Sequence, residues 1–167
     1  MQNVTTKGVA TIAAIAVIAV GGTVIAQTTL AIGGSQTNFG QQTLRGGFLP
    51  DPHTVQITSG GSLDASGMSL APGCRGYVTR RPDYIVDYQD AASFLRFYAV
   101  SQGDTTLVIN DAAGRWHCND DSNGGLNPTV DISNPPSGQY DIWVGSYRGS
   151  ENLRSTLHVT ELRSRHP

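Results

Sequence analysis

The residues with the most chemical potential sit together in one stretch, Asn119-Asp120-Asp121-Ser122-Asn123-Gly124. Side-chain oxygens at alternate positions on a turning backbone, with glycine sixth, match the first half of a calcium-binding EF-hand loop. The match then stops, because Val130 stands where a bidentate glutamate belongs and no helical pattern flanks the loop. An EF-hand is therefore excluded, but the oxygen chemistry survives. Asp111, Asn119, Asp120, Asp121, Asn123 and Asn127 are the expected ligands of one Ca²⁺, with Asp131 close by. The competing reading is a polar turn whose Asx side chains bond their own backbone.

Other catalytic constellations are missing. Neither a Gly-x-Ser-x-Gly elbow nor a His-Glu-x-x-His helix occurs, and glycine runs lack the strand-to-helix context of a phosphate loop. His117 beside Cys118 has no second Cys or His at ligand spacing, so it reads as packing on a strand. No catalytic residue is nominated, and the chain is expected not to be an enzyme. Among the aromatics, Trp116 follows a turn and is the candidate for an exposed, ligand-binding ring, whereas Trp143 lies in an alternating strand and suits a core.

The elements that position these residues begin after a leader. Lys7 precedes Val9 to Val20, twelve residues without charge, and Val24-Ile25-Ala26 offers small residues for signal peptidase. Residues 1–26 are expected to be a signal peptide. Cleavage after Ala31, or retention of the apolar run as an anchor, remains open. Removing Lys7 with the leader leaves ten arginines against thirteen acids, a net charge of −3. That balance argues against a nucleic-acid partner. In an exported chain the two cysteines, Cys74 and Cys118, read as one disulfide.

Residues 27–44 carry no charge and little apolar density, and 27–47 is expected to be an N-terminal arm outside the globular part. Such an arm could add a strand to its own sheet or to a neighbouring copy. Residues 48–167 show about eight short alternating segments, at 54–58, 84–88, 95–99, 105–110, 115–118, 129–132, 140–147 and 155–162, punctuated by Gly, Pro and Asn. No segment carries an apolar stripe at helical spacing, so the expected fold is an antiparallel, jelly-roll-like β-sandwich.

Within Gly103 to Leu162, the runs Asp104-Thr105-Thr106-Leu107, Asp111-Ala112-Ala113-Gly114, Asn119-Asp120-Asp121 and Gly138-Gln139-Tyr140-Asp141-Ile142-Trp143-Val144 follow one another. That succession resembles the bacterial pre-peptidase C-terminal domain family, over a little more than a third of the chain. The resemblance implies a secreted, non-catalytic β-sandwich, sometimes calcium-binding, although no protease accompanies the domain here. Two functions are expected from these features. One is an extracellular structural or adhesive subunit that assembles with itself, into a fibre or layer, through residues 27–44. The other is an accessory module that binds a polysaccharide or protein outside the cell, with no membrane partner once the leader is removed.

Overall fold

The computed structural model describes residues 29–167, so the expected signal peptide, 1–26, lies outside the described residues. Eleven strands run in order: β1 Gln41–Arg45, β2 His53–Thr58, β3 Leu63–Asp64, β4 Tyr77–Val78, β5 Tyr84–Gln89, β6 Phe94–Ser101, β7 Thr105–Asn110, β8 Trp116–Asn119, β9 Thr129–Ser133, β10 Gly138–Ser146 and β11 Arg154–Thr160. The only helical turn among the described residues is the 3₁₀ segment Ala65–Gly67. All eight expected strands are present. The three additions, β1, β3 and β4, are polar or only two residues long and carry no alternation to read.

The strands form two sheets. One has seven strands built around β10, with β7 and then β8 on one edge and β5–β1 and β4–β3 sharing the other. The second sheet has the order β2-β11-β6-β9. Pairing is antiparallel throughout except at β1, which runs parallel to β5 from Gln41 opposite Ile85 to Arg45 opposite Gln89.

Period-2 alternation explains the core. Leu95, Phe97 and Ala99 of β6, Leu157 and Val159 of β11, Tyr84, Val86 and Tyr88 of β5, and Tyr140, Ile142 and Val144 of β10 point between the sheets and are buried. At the rim, the buried Tyr88 phenol donates to the Glu161 carboxylate and accepts from the Ala92 N–H.

The seven-stranded sheet is also covered on its outer face. Val78, Val108 and Trp143 there are buried beneath Ala65 and Leu30, with Leu63, Met68, Leu70, Trp116 and Cys118 packed around them. Fully buried Trp143 thus sits in an apolar layer, though not the one between the sheets. Gly76, at φ +91°, lets the covering loop touch this face, since a Cβ there would collide with Thr106.

From residue 29 on, the arm is part of the sandwich, not a linker preceding it. Leu30 is buried in the outer layer, Leu44 in the inner core, and β1 extends the sheet. Its polar side chains hid this, because an edge strand needs only backbone pairing and one inward apolar residue.

Candidate functional site

The oxygen-rich loop is a tight hairpin. Ser122 bridges to Gly125, and between them Asn123 and Gly124 take φ of +55° and +76°, the left-handed pair that a type I′ turn demands. Its amides are already engaged. Asn119 Oδ1 accepts from Ser122 Oγ at 2.8 Å and from the Thr129 N–H at 3.0 Å, while Asn127 Oδ1 accepts from the Ser101 N–H at 2.9 Å. Asp120 meets Arg75 at 3.3 Å, and Asp121 and Asn123 face solvent.

Asp111 is elsewhere. It closes the β7–β8 turn, accepting from the N–H groups of Ala113 and Arg115 at 2.9 Å each and from Arg115 Nε at 2.8 Å. His117 Nε2 completes its shell at 2.9 Å. Burial pushes this carboxyl upward, but the bonds from His117 and Arg115 outweigh burial and hold it below the usual range. Asn119 faces Leu107, four residues along β7 from Asn110's neighbour Asp111, a separation of about 13 Å.

The six expected ligands, Asp111, Asn119, Asp120, Asp121, Asn123 and Asn127, therefore do not converge, and they do not fit one calcium ion. No group of three or more His, Cys, Asp or Glu is placed to hold a metal among the described residues. Backbone N–H groups engage the oxygens of Asp111, Asn119 and Asn127, Arg75 meets Asp120, and Asp121 and Asn123 are left to solvent. Among the described residues Asp104 is the one carboxylate with a buried oxygen, Oδ1, that lacks a partner. Burial, followed by the charges of Asp121 and Asp120, holds its carboxyl above the usual range.

Cys74 and Cys118 form the expected disulfide, with Cα atoms 4.9 Å apart. It fastens the loop that covers the outer face to β8. Trp116, next to it, is half-buried and lies against Trp143, with ring centroids 5.8 Å apart. The expectation of an exposed ring is corrected: the β7–β8 turn folds the indole onto the outer apolar layer. What remains open beside it is a cleft of about 490 Å³, lined by Leu30, Ile32, Met68 and Leu70 as well as Trp116.

The polar groups that do organise this molecule lie where arm meets sheet. Asp83, just before β5, is fully buried without a cationic partner. It accepts from Asn38 Nδ2 at 2.8 Å, from Thr79 Oγ1 at 3.3 Å and from the Val144 N–H at 2.9 Å. Burial raises its carboxyl to about 6, against the lowering effect of those bonds. Asp141, on the outer face of β10, accepts from the Gly33 N–H at 2.7 Å and from Gln139 Nε2 at 2.7 Å, and Gln139 also donates to the Gly34 carbonyl at 2.8 Å. Two buried carboxylates thus hold residues 33–38 in place. Sequence reading missed both, since nothing marks an isolated Asp in a strand as a pin.

The ladder between β1 and β5 sets what the sheet edge displays. Gly40 O accepts from the Ile85 N–H and the Gly46 N–H donates to Gln89 O, so even-numbered residues face β5. The N–H and C=O groups of Gln41, Thr43 and Arg45 consequently point away from the sheet. The Gln42 side chain bonds the outward Thr43 carbonyl at 3.1 Å, and Arg45 is tied to Asp90 at 2.7 Å.

The chain matches no family model, and no curated protein is similar enough to count as a relative.

Proposed function

We propose that this protein is an exported, non-catalytic structural or adhesive subunit that associates with a second copy of itself along the open edge of β1. The carrying observation is that edge: five residues, four of them exposed, with unpaired outward N–H groups at Gln41, Thr43 and Arg45 and unpaired outward carbonyls at Gln41 and Arg45. Sheet edges that must stay single are normally blunted by lysine, proline or a bulge, and β1 has none of these. Its one charge, Arg45, is already neutralised by Asp90.

Export rests on the leader and is supported by the disulfide, which persists in oxidising compartments. The likeness to the pre-peptidase C-terminal family supports the same non-catalytic, extracellular reading. Calcium has no place in this proposal, because Asp111 lies apart from the loop, Asn119 and Asn127 accept backbone N–H groups and Asp120 pairs with Arg75.

Thr43→Pro tests it. Proline removes one outward N–H and leaves the ladder to β5 untouched. Light scattering during gel filtration should show a concentration-dependent dimer for the mature wild type and a monomer, with unchanged melting temperature, for the variant. A variant that still dimerises, or a wild type that is monomeric at all concentrations, rejects the reading.

A further inference from the structure

We propose that the groove between loop 33–36 and the Arg80-Arg81 turn binds the anionic groups of an acidic polysaccharide. The arginine groove contains no β1 residue, and although the neighbouring groove borders β1, this site survives the failure of β1 self-pairing.

The groove, about 410 Å³, is lined by Gly34, Ser35, Gln36, Arg80 and Arg81. Both arginines are exposed, and among the described residues their guanidiniums make neither an ion pair nor a hydrogen bond. Two adjacent free cations are conspicuous in a chain of net charge −2, where a general attraction to polyanions is absent.

Their backbone is fixed although their side chains are free. Arg80 O accepts from the Ala31 N–H at 2.8 Å, Arg81 O from Thr79 Oγ1 at 2.7 Å, and Pro82 O from the Asn38 N–H at 3.1 Å. Side chains launched from an anchored turn lose less freedom on binding than those on a mobile loop. On the opposite wall the N–H groups of Gly34, Ser35 and Gln36 have no acceptor among the described residues. Guanidinium forks and spare backbone donors are what carboxylate or sulfate oxygens require.

A second groove, about 390 Å³, lies across the Gly34-Ser35 ridge and is lined by Gln41, Gln42, Thr43, Asp87 and Gln139. Amides, a hydroxyl and one carboxylate suit neutral hydroxyl groups, and Asp87 would repel an anion. Repulsion on one side and attraction on the other give a polymer a register, with acid groups on the arginines and sugar hydroxyls over the sheet. Neither groove contains an aromatic ring for stacking bases, which disfavours a nucleic acid.

The test is titration calorimetry of the mature protein against polygalacturonate, dextran sulfate and neutral dextran. Binding to either polyanion and none to dextran is expected, the stronger of the two identifying carboxylate or sulfate as the anion. Arg80→Ala with Arg81→Ala should weaken that binding at least tenfold, at unchanged melting temperature. Arg148→Ala with Arg154→Ala, which removes the same charge elsewhere, should change it less than twofold. Equal loss in both double variants would mean diffuse charge and overturn the proposal. So would wild-type binding by the Arg80/Arg81 variant, binding to dextran, or binding to no polymer.

Discussion

Between the sheets, seventeen buried apolar residues meet across two complete β-surfaces, whereas the outer face of the seven-stranded sheet is closed by five, three of which are its own. The inner core needs no fastener. Area alone holds it, at roughly 25 cal/mol for each Å² of apolar surface removed from water. The outer layer is a loop and an arm laid over Trp143 and Val108, with little area to gain and much chain to order. Its closure is accordingly held by the Cys74–Cys118 bond and by the hydrogen bonds to Asp83 and Asp141. Cover and core should come apart in separate steps, the cover opening first.

The sharpest way to break this contrast is to remove the bond. Cys74→Ser with Cys118→Ser opens a loop spanning 44 residues and should cost about 4 kcal/mol in urea unfolding. A loss under about 1 kcal/mol would mean that packing alone secures the cover, erasing the distinction from the core.

A smaller effect comes from pH. The folded Asp83 carboxyl titrates at about 6, above its ordinary 3.8, so the native state holds a proton that the unfolded chain has released. Stability from this group is present below pH 3.8 and is lost as pH rises through 6, by at most about 3 kcal/mol. Asp104, also raised, adds a change of the same sign, and Asp111, lowered, acts oppositely only below the ordinary carboxylate range. His53 and His158, both lowered by burial, lose stability as pH falls below their ordinary 6.5 and oppose this decline. The Asp83 contribution is therefore read as the difference in melting temperature between wild type and Asp83→Asn, which should fall as pH rises from 4 to 8. A difference that stays constant over that range would remove Asp83 from the explanation.

Leu30→Ala should have the smallest effect, about 2 kcal/mol, because the side chain is buried yet lies at the rim of its layer. Its readout is regional. Amide exchange should quicken in residues 29–40 and 63–76 while Phe97 and Ile142 keep their protection. Uniform acceleration would show that cover and core unfold as one unit.

The inner core was legible because one alternate set in each strand is uniformly apolar (Tyr84, Val86 and Tyr88 in β5, Leu95, Phe97 and Ala99 in β6, Tyr140, Ile142 and Val144 in β10, Leu157 and Val159 in β11), and that period dictates which face is buried. The outer layer was not. Leu30, Ala65, Met68 and Leu70 are spread over loops with no period, and only the chain's return across β10 brings them together. The candidate site failed for a different reason. Asn123-Gly124 is a strong type I′ signal, but the run of oxygens around it fitted a ligand pattern equally well. Sequence spacing could not show that Asn119 would be satisfied by Thr129 and Asn127 by Ser101. Arg80 and Arg81 drew no notice because two arginines acquire meaning only beside the Gly34-Ser35 ridge that faces them.

The direction of β1 also limits what its free edge can build. Two identical strands meeting along Gln41, Thr43 and Arg45 must run antiparallel about a twofold axis, merging two seven-stranded sheets into one continuous ribbon. That contact is isologous and consumes itself, since each copy's only β1 is then covered. Stoichiometry stops at two unless another edge strand, β8 or β3 of the same sheet or β2 or β9 of the other, supplies a second and different junction.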